Sequence, residues 1–215
     1  MKSFIKQTII FIFRFLSVLW PPSLVKKCKF RLDQFYTYWL SREFKTIGEN
    51  PHIARPVYLM GGRYISIGNE FASLPGLRIE CWDKYIDNKY TPDLTIGDNV
   101  YMNYNVHIGC INRISIGNNV LFASNIYISD HSHGLTDGVD INIPPALRSL
   151  VSKGPVIIKD NVWIGENVSI MPDVTIGKGC IIGANSVVTK GFPDYSIIAG
   201  VPATMIRTIN KKIYE

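Results

Sequence analysis

Cysteine is scarce and unpatterned in this 215-residue chain: Cys28, Cys81, Cys110 and Cys180 form no C-x-x-C pair. No disulfide framework is expected, only reduced structural thiols. Histidine is as sparse, at four, and no carboxylate–histidine helix motif accompanies it, so no structural metal site is expected. No Walker or Rossmann glycine pattern competes for a nucleotide. Charged residues amount to 19%, too few for a disordered chain. The net charge of +6 suits an anionic surface or a phosphate-rich ligand, but the aromatic–basic interleaving of nucleic-acid binders is missing, so no nucleic acid is expected as a partner. At 47% hydrophobic, the chain can bury the core of one compact cytosolic domain.

What is present is a period. Ile158, Ile164, Ile170, Ile176, Ile182 and Val188 stand six residues apart. A period of six fits neither a helix at 3.6 nor a plain strand at 2, so the chain must turn a corner every six residues. Three such blocks make one triangular coil of about eighteen residues, and stacked coils align their aliphatic residues into one core. The same frame runs through Ile47, Ile53, Leu59 and Ile65, then slips by two to Ile67. It runs again through Ile96, Met102, Ile108 and Ile114, slips by two to Ile116, and continues to Phe122 and Ile128. The expected fold is all-β: a parallel β-helix of about six coils over residues 47–193, with Ser73 its weakest core position. Residues 194–215 read as a C-terminal tail. Coils built on hexapeptides are left-handed in the families that use them, so this handedness rests on resemblance; the general crossover rule predicts the opposite.

Residues 1–46 differ from the rest. On a helical wheel of residues 3–20, Ser3, Lys6, Gln7, Arg14 and Ser17 share an arc of about 100 degrees, with Ile10 intruding, and apolar side chains cover nearly all the remainder. A signal peptide is not expected, because Arg14 interrupts the apolar run and Trp20-Pro21-Pro22 follows in place of a small-residue cleavage site. A spanning helix is not expected either, given Lys6 and Arg14. Two readings remain: packing between subunits, or a membrane interface aided by Lys26, Lys27, Lys29 and Arg31.

Two insertions interrupt the solenoid, and loops leaving a rigid frame are where chemistry can be aimed. The first, near 80–92, holds Trp82, Tyr85 and Tyr90. The second, near 129–156, opens with Ser129-Asp130-His131-Ser132-His133-Gly134. A histidine beside an aspartate can serve as a general base. By spacing alone, His131 and His133 could also be plain loop residues or, as the weaker alternative, bind a metal.

The company these residues keep resembles the left-handed β-helix O-acetyltransferases, in the branch of the galactoside, maltose and polysaccharide acetyltransferases. The resemblance covers about residues 94–208. Its carriers are Met102-Asn103-Tyr104-Asn105, Ile128-Ser129-Asp130-His131, Asn161-Val162-Trp163-Ile164-Gly165, Ile182-Gly183-Ala184-Asn185-Ser186-Val187-Val188-Thr189-Lys190 and Ala199-Gly200-Val201-Pro202-Ala203. It implies a homotrimer with active sites between subunits, acetyl coenzyme A as cosubstrate, a sugar acceptor and no metal. His131 matches the catalytic histidine, with His133 as a second choice of base or an acceptor contact. Asn105 matches an asparagine near the acceptor and the developing oxyanion, and Asn103 lies beside it. Asp130 departs from the small residues found there in the galactoside and maltose enzymes, and is read as an orienting group or sugar contact. Trp163 matches a tryptophan beside the pantetheine arm. Gly165 and Ala184 fall where a ligand can approach the backbone, and Thr189, Lys190 and Arg207 match the nucleotide end.

The expected activity is therefore acetyl transfer to a sugar hydroxyl in envelope or capsular polysaccharide synthesis. The alternatives are a xenobiotic (antibiotic) acetyltransferase, a sugar-amine acetyltransferase, and a zinc lyase of the carbonic anhydrase type. A cytoplasmic location is expected, with the N-terminal segment leaving peripheral contact at the inner membrane face open.

Overall fold

A computed structural model of the chain describes residues 2–135 and 137–209. Residues 210–215 of the expected tail and Thr136 of the second insertion lie outside the described residues. Short parallel strands stack into three faces, with neighbouring strands about 4.8 Å apart. The first face carries Ile47, Ile67, Ile96, Ile116, Ile158 and Ile176 in one column. The second carries Ile53, Ser73, Met102, Phe122, Ile164, Ile182 and Ile198, and the third Leu59, Ile79, Ile108, Ile128, Ile170 and Val188. Six coils result, as the period predicts.

The hexad residues point inward because each strand is only a few residues long and turns before its alternation can expose them. Ile108, Ile128, Ile164 and Ile170 are fully buried, each contributing roughly 1.5–3 kcal/mol of transfer free energy. Ser73 occupies its core slot with its hydroxyl buried and unbonded. The corners need left-handed backbone, which Asn tolerates better than most residues. Asn105, Asn125, Asn167 and Asn185 take φ near +58 to +60 there. Their amides form rungs between coils, Asn105 to Asn125 at 3.0 Å and Asn167 to Asn185 at 3.1 Å.

Both ends of the stack are covered. Helix α1 (Lys2–Leu19) and helix α2 (Pro22–Leu40) meet at Pro21, which fixes a break where the sequence suggested one helix and no second. The last turns of α2 seal the first coil: the Thr37 hydroxyl accepts the Ile53 amide at 2.8 Å, and Arg55 donates to Asp33 at 2.7 Å. At the other end, strand Ser196–Gly200 extends the second face and Ala203–Thr208 folds back on it antiparallel.

Candidate active site

The third face ends each turn at a corner where Glu80, Gly109 and Ser129 stand in adjacent coils. Directly after Ser129 the chain leaves the solenoid, which places Asp130 and His131 at the root of the second insertion. Asp130 is fully buried, and its carboxylate accepts the amides of Ile111 at 3.0 Å and Asn112 at 2.8 Å. The same carboxylate lies 2.9 Å from Nδ1 of His131. A carboxylate only accepts, so Nδ1 carries the hydrogen and Nε2 is left with a free lone pair. Asp130 is thus placed to orient the imidazole, and its side chain presents no exposed surface. Hydrogen bonding with Cys81, burial and the nearby Asp130 carboxylate push the Cys110 thiol up, so it stays neutral beside the dyad.

Gly109 makes room for this imidazole. A Cβ on residue 109 would sit 3.2 Å from Cε1 of His131. That glycine was not singled out from the sequence, where only its place between Ile108 and Cys110, one coil before the histidine, could have flagged it.

His131 stands between two clefts. One, of about 340 Å³, is walled by Arg78, Glu80, Trp82, Tyr85, His107 and His133. The other, of about 270 Å³, is lined by Lys153, Met171, Pro172 and Thr189 with His131 and Ser132. In the first, Glu80 is nearly buried and accepts from Arg78 at 2.9 Å, with His107 Nε2 also at 2.9 Å. His133 packs edge-on against Tyr85, ring centroids 5.3 Å apart. The two insertions build this cleft jointly. Tyr85 donates to the Ala146 carbonyl at 2.8 Å, Asn88 to Ser149 at 2.8 Å, and the Leu150 amide to the Tyr90 hydroxyl at 3.0 Å.

Of the residues singled out from the sequence, Asp130, His131 and His133 converge and Thr189 lines the second cleft. Asn103 and Asn105 line neither: Asn103 bonds the Phe122 carbonyl at 3.1 Å, and Asn105 belongs to the corner ladder. Trp163 stands half-exposed on the second face, in a row with Leu121, Ile181, Ile197 and Arg207. Gly165 has a structural reason of its own, since a Cβ there would meet the Ile182 carbonyl of the next coil at 2.6 Å. Ala184 is exposed at the following corner, and Lys190 lies over the Phe192 ring at 5.9 Å. Within one chain these donor-side residues are therefore split between faces. Among the described residues no three His, Cys, Asp or Glu side chains group as metal ligands.

Residues 155–190 match the family model for the bacterial transferase hexapeptide of six repeats. WbbJ of Escherichia coli, named for a role as a lipopolysaccharide biosynthesis O-acetyl transferase, is 39% identical over 166 residues, covering 74% of this chain and 81% of that protein. The chain belongs to the hexapeptide-repeat acetyltransferases. Like other members, this acetyltransferase is related to the galactoside O-acetyltransferase of Escherichia coli, at 34% identity over 79% of this chain and 66% of that protein. A galactoside acetyltransferase solved with coenzyme A superposes with a TM-score of 0.52 at 32% identity, covering 89% of this chain and 74% of that one. The acetyltransferase VCA0836 of Vibrio cholerae, solved with acetyl coenzyme A, superposes with a TM-score of 0.53 at 27% identity, covering 84% and 80%. The left-handed coil expected from the sequence is the fold of these acetyltransferases, and their bound coenzyme agrees with the expected donor.

What the sequence reading missed in this acetyltransferase is the Arg78–Glu80–His107 wall. Its members lie 29 residues apart at most, in successive coils. The signal was available in principle, because Arg78 and His107 precede Ile79 and Ile108, two core positions of one face.

Proposed function

We propose that this protein transfers the acetyl group of acetyl coenzyme A to a sugar hydroxyl, with His131 as general base. The observation that carries the reading is the buried Asp130 holding Nδ1 of His131, which leaves Nε2 as the accepting nitrogen of a ring that lines both clefts. The acceptor oxygen attacks the thioester carbonyl while its proton passes to Nε2. Asp130 stabilises the resulting imidazolium. Collapse of the tetrahedral intermediate breaks the carbon–sulfur bond, and the imidazolium returns the proton to the departing thiolate. Such base assistance contributes about two to four powers of ten in rate.

The larger cleft suits the acceptor. Trp82 and Tyr85 offer flat apolar faces to a sugar ring, while Glu80, Arg78 and His133 offer acceptors and donors to hydroxyls. The smaller cleft, with Lys153 and Thr189, is the donor side. In a homotrimer, Asn105, Trp163 and Arg207 of an adjacent copy would complete the site, which accounts for their separation from His131 within one chain. The likeness to WbbJ supports an acceptor from envelope polysaccharide synthesis.

The test is release of free thiol from acetyl coenzyme A with a panel of sugars, nucleotide sugars and lipid-linked saccharides, beside His131→Ala. Acceptor-dependent release that falls at least a hundredfold in the variant is expected, in line with the general-base contribution. Release with amines alone, or an undiminished variant, overturns the reading.

A further inference from the structure

The net positive charge of this protein comes from one segment. Seven basic and no acidic residues precede Asp33, whereas the rest of the chain carries sixteen basic against seventeen acidic. Among the described residues, the same segment is crowded with exposed large apolar side chains. Every described side chain of α1 is exposed, with Phe11 at 71%, and Trp20 at the bend is exposed at 59%. From Phe30 onward α2 is tied to the solenoid, through the Phe30 ring stacked on His52 at 4.3 Å and through Asp33, Thr37 and Leu40. The first two turns of α2 and all of α1 project from it, bent by 59° at Pro21.

We infer that α1 and the start of α2 form an interfacial anchor for an anionic phospholipid surface. Charge decides the occupant. A second copy of the chain would set seven cations against seven, whereas an anionic surface neutralises them while its acyl region takes the phenylalanines. Geometry decides the depth. Among the described residues no single helix is long and apolar enough to cross a membrane, and the one pair that passes by length and composition, α1 with α2, is bent by 59° and has the end of α2 docked on the solenoid. Lys6 and Arg14 lie eight residues apart on one stripe of α1, so both reach headgroups only when the helix lies flat. Trp20 then sits at the headgroup level, where indole rings are favoured, and Lys26, Lys27, Lys29 and Arg31 follow just beyond the bend.

The anchor stands independently of the acetyl-transfer reading, and its test needs no acceptor. Full-length protein is floated with phosphatidylcholine vesicles and with vesicles containing phosphatidylglycerol. Binding to the second kind is expected, weakened by salt and lost in Phe11→Asp/Phe15→Asp. Each of Lys26→Gln, Lys27→Gln and Lys29→Gln should weaken it about fivefold. Brominated lipid should quench tryptophan emission in the parent and not in Trp20→Phe. These substituted side chains are exposed, so circular dichroism should show an unchanged fold. Absence of flotation overturns the inference, as does equal binding to neutral vesicles. So does a Phe11→Asp/Phe15→Asp protein that floats normally but drops to a smaller oligomer, which would place the apolar face between copies.

Discussion

Asp130→Asn is the sharpest probe of the dyad, because the carboxylate has three N–H groups aimed at it and a carboxamide has only one oxygen to offer. In one orientation the new NH2 group faces the Asn112 amide, now 2.8 Å from Oδ2, and two donors collide that neither can relieve. In the other it faces Nδ1 of His131, now 2.9 Å from Oδ1, and the Ile111 amide, now 3.0 Å from Oδ1 and 3.3 Å from Oδ2. Both can respond: the Ile111 amide keeps Oδ2 as its acceptor, and the imidazole moves its hydrogen to Nε2. The second orientation therefore prevails, and the lone pair that would take the acceptor's proton disappears. The expected loss in kcat is the general-base share, about two to four powers of ten, with KM and donor affinity nearly unchanged. Stability should fall by about 1–3 kcal/mol, since a buried polar network is left imperfectly paired. Steady-state thiol release gives the rates, and nitrogen-15 spectra of the imidazole show which ring nitrogen is protonated. Unchanged kcat, or a large loss with the wild-type tautomer retained, would refute the reasoning.

Gly109→Ala should place its Cβ 3.2 Å from Cε1 of His131 and tilt the ring, lowering kcat by about ten- to a hundredfold with little change in melting temperature; paired kinetics and calorimetry check this. Ser73→Ala removes a buried hydroxyl with no partner and should raise stability by about 1 kcal/mol in denaturant titration. The Cys110 thiol, pushed up by Cys81, burial and Asp130, keeps its proton in the folded protein. Above the ordinary thiol value of 9.0 only the unfolded chain releases that proton, so stability is fully present below it and declines as pH climbs past it. The share of the decline due to this thiol should approach about 1.4 kcal/mol per pH unit, so Cys110→Ala should make the decline shallower while the Cys180 thiol, also pushed up by burial, keeps some of it, as read by unfolding at a series of alkaline pH values.

The coil was legible in the sequence because its cause is local. An aliphatic residue every six positions, with corner-forming Asn or Gly between, specifies where each strand begins and which side it buries, and every hexad from Ile158 to Val188 landed in the core. Asp130 and His131 were legible for the same reason, being chain neighbours at the point where the period stops. The tertiary structure decided everything that depends on which coils lie against each other. Glu80 meets His107 across 27 residues, and Asp130 meets the amides of Ile111 and Asn112 across 19 and 18. Tyr85 reaches Ala146 across 61, joining two insertions that look unrelated in the chain. The tertiary structure also decided that Asn105 stands in a corner ladder, apart from His131 of its own chain. The physical reason is that insertions change the sequence distance between stacked coils without changing their spacing in space. A period therefore predicts the direction of each side chain, while only the stacked structure determines its neighbour.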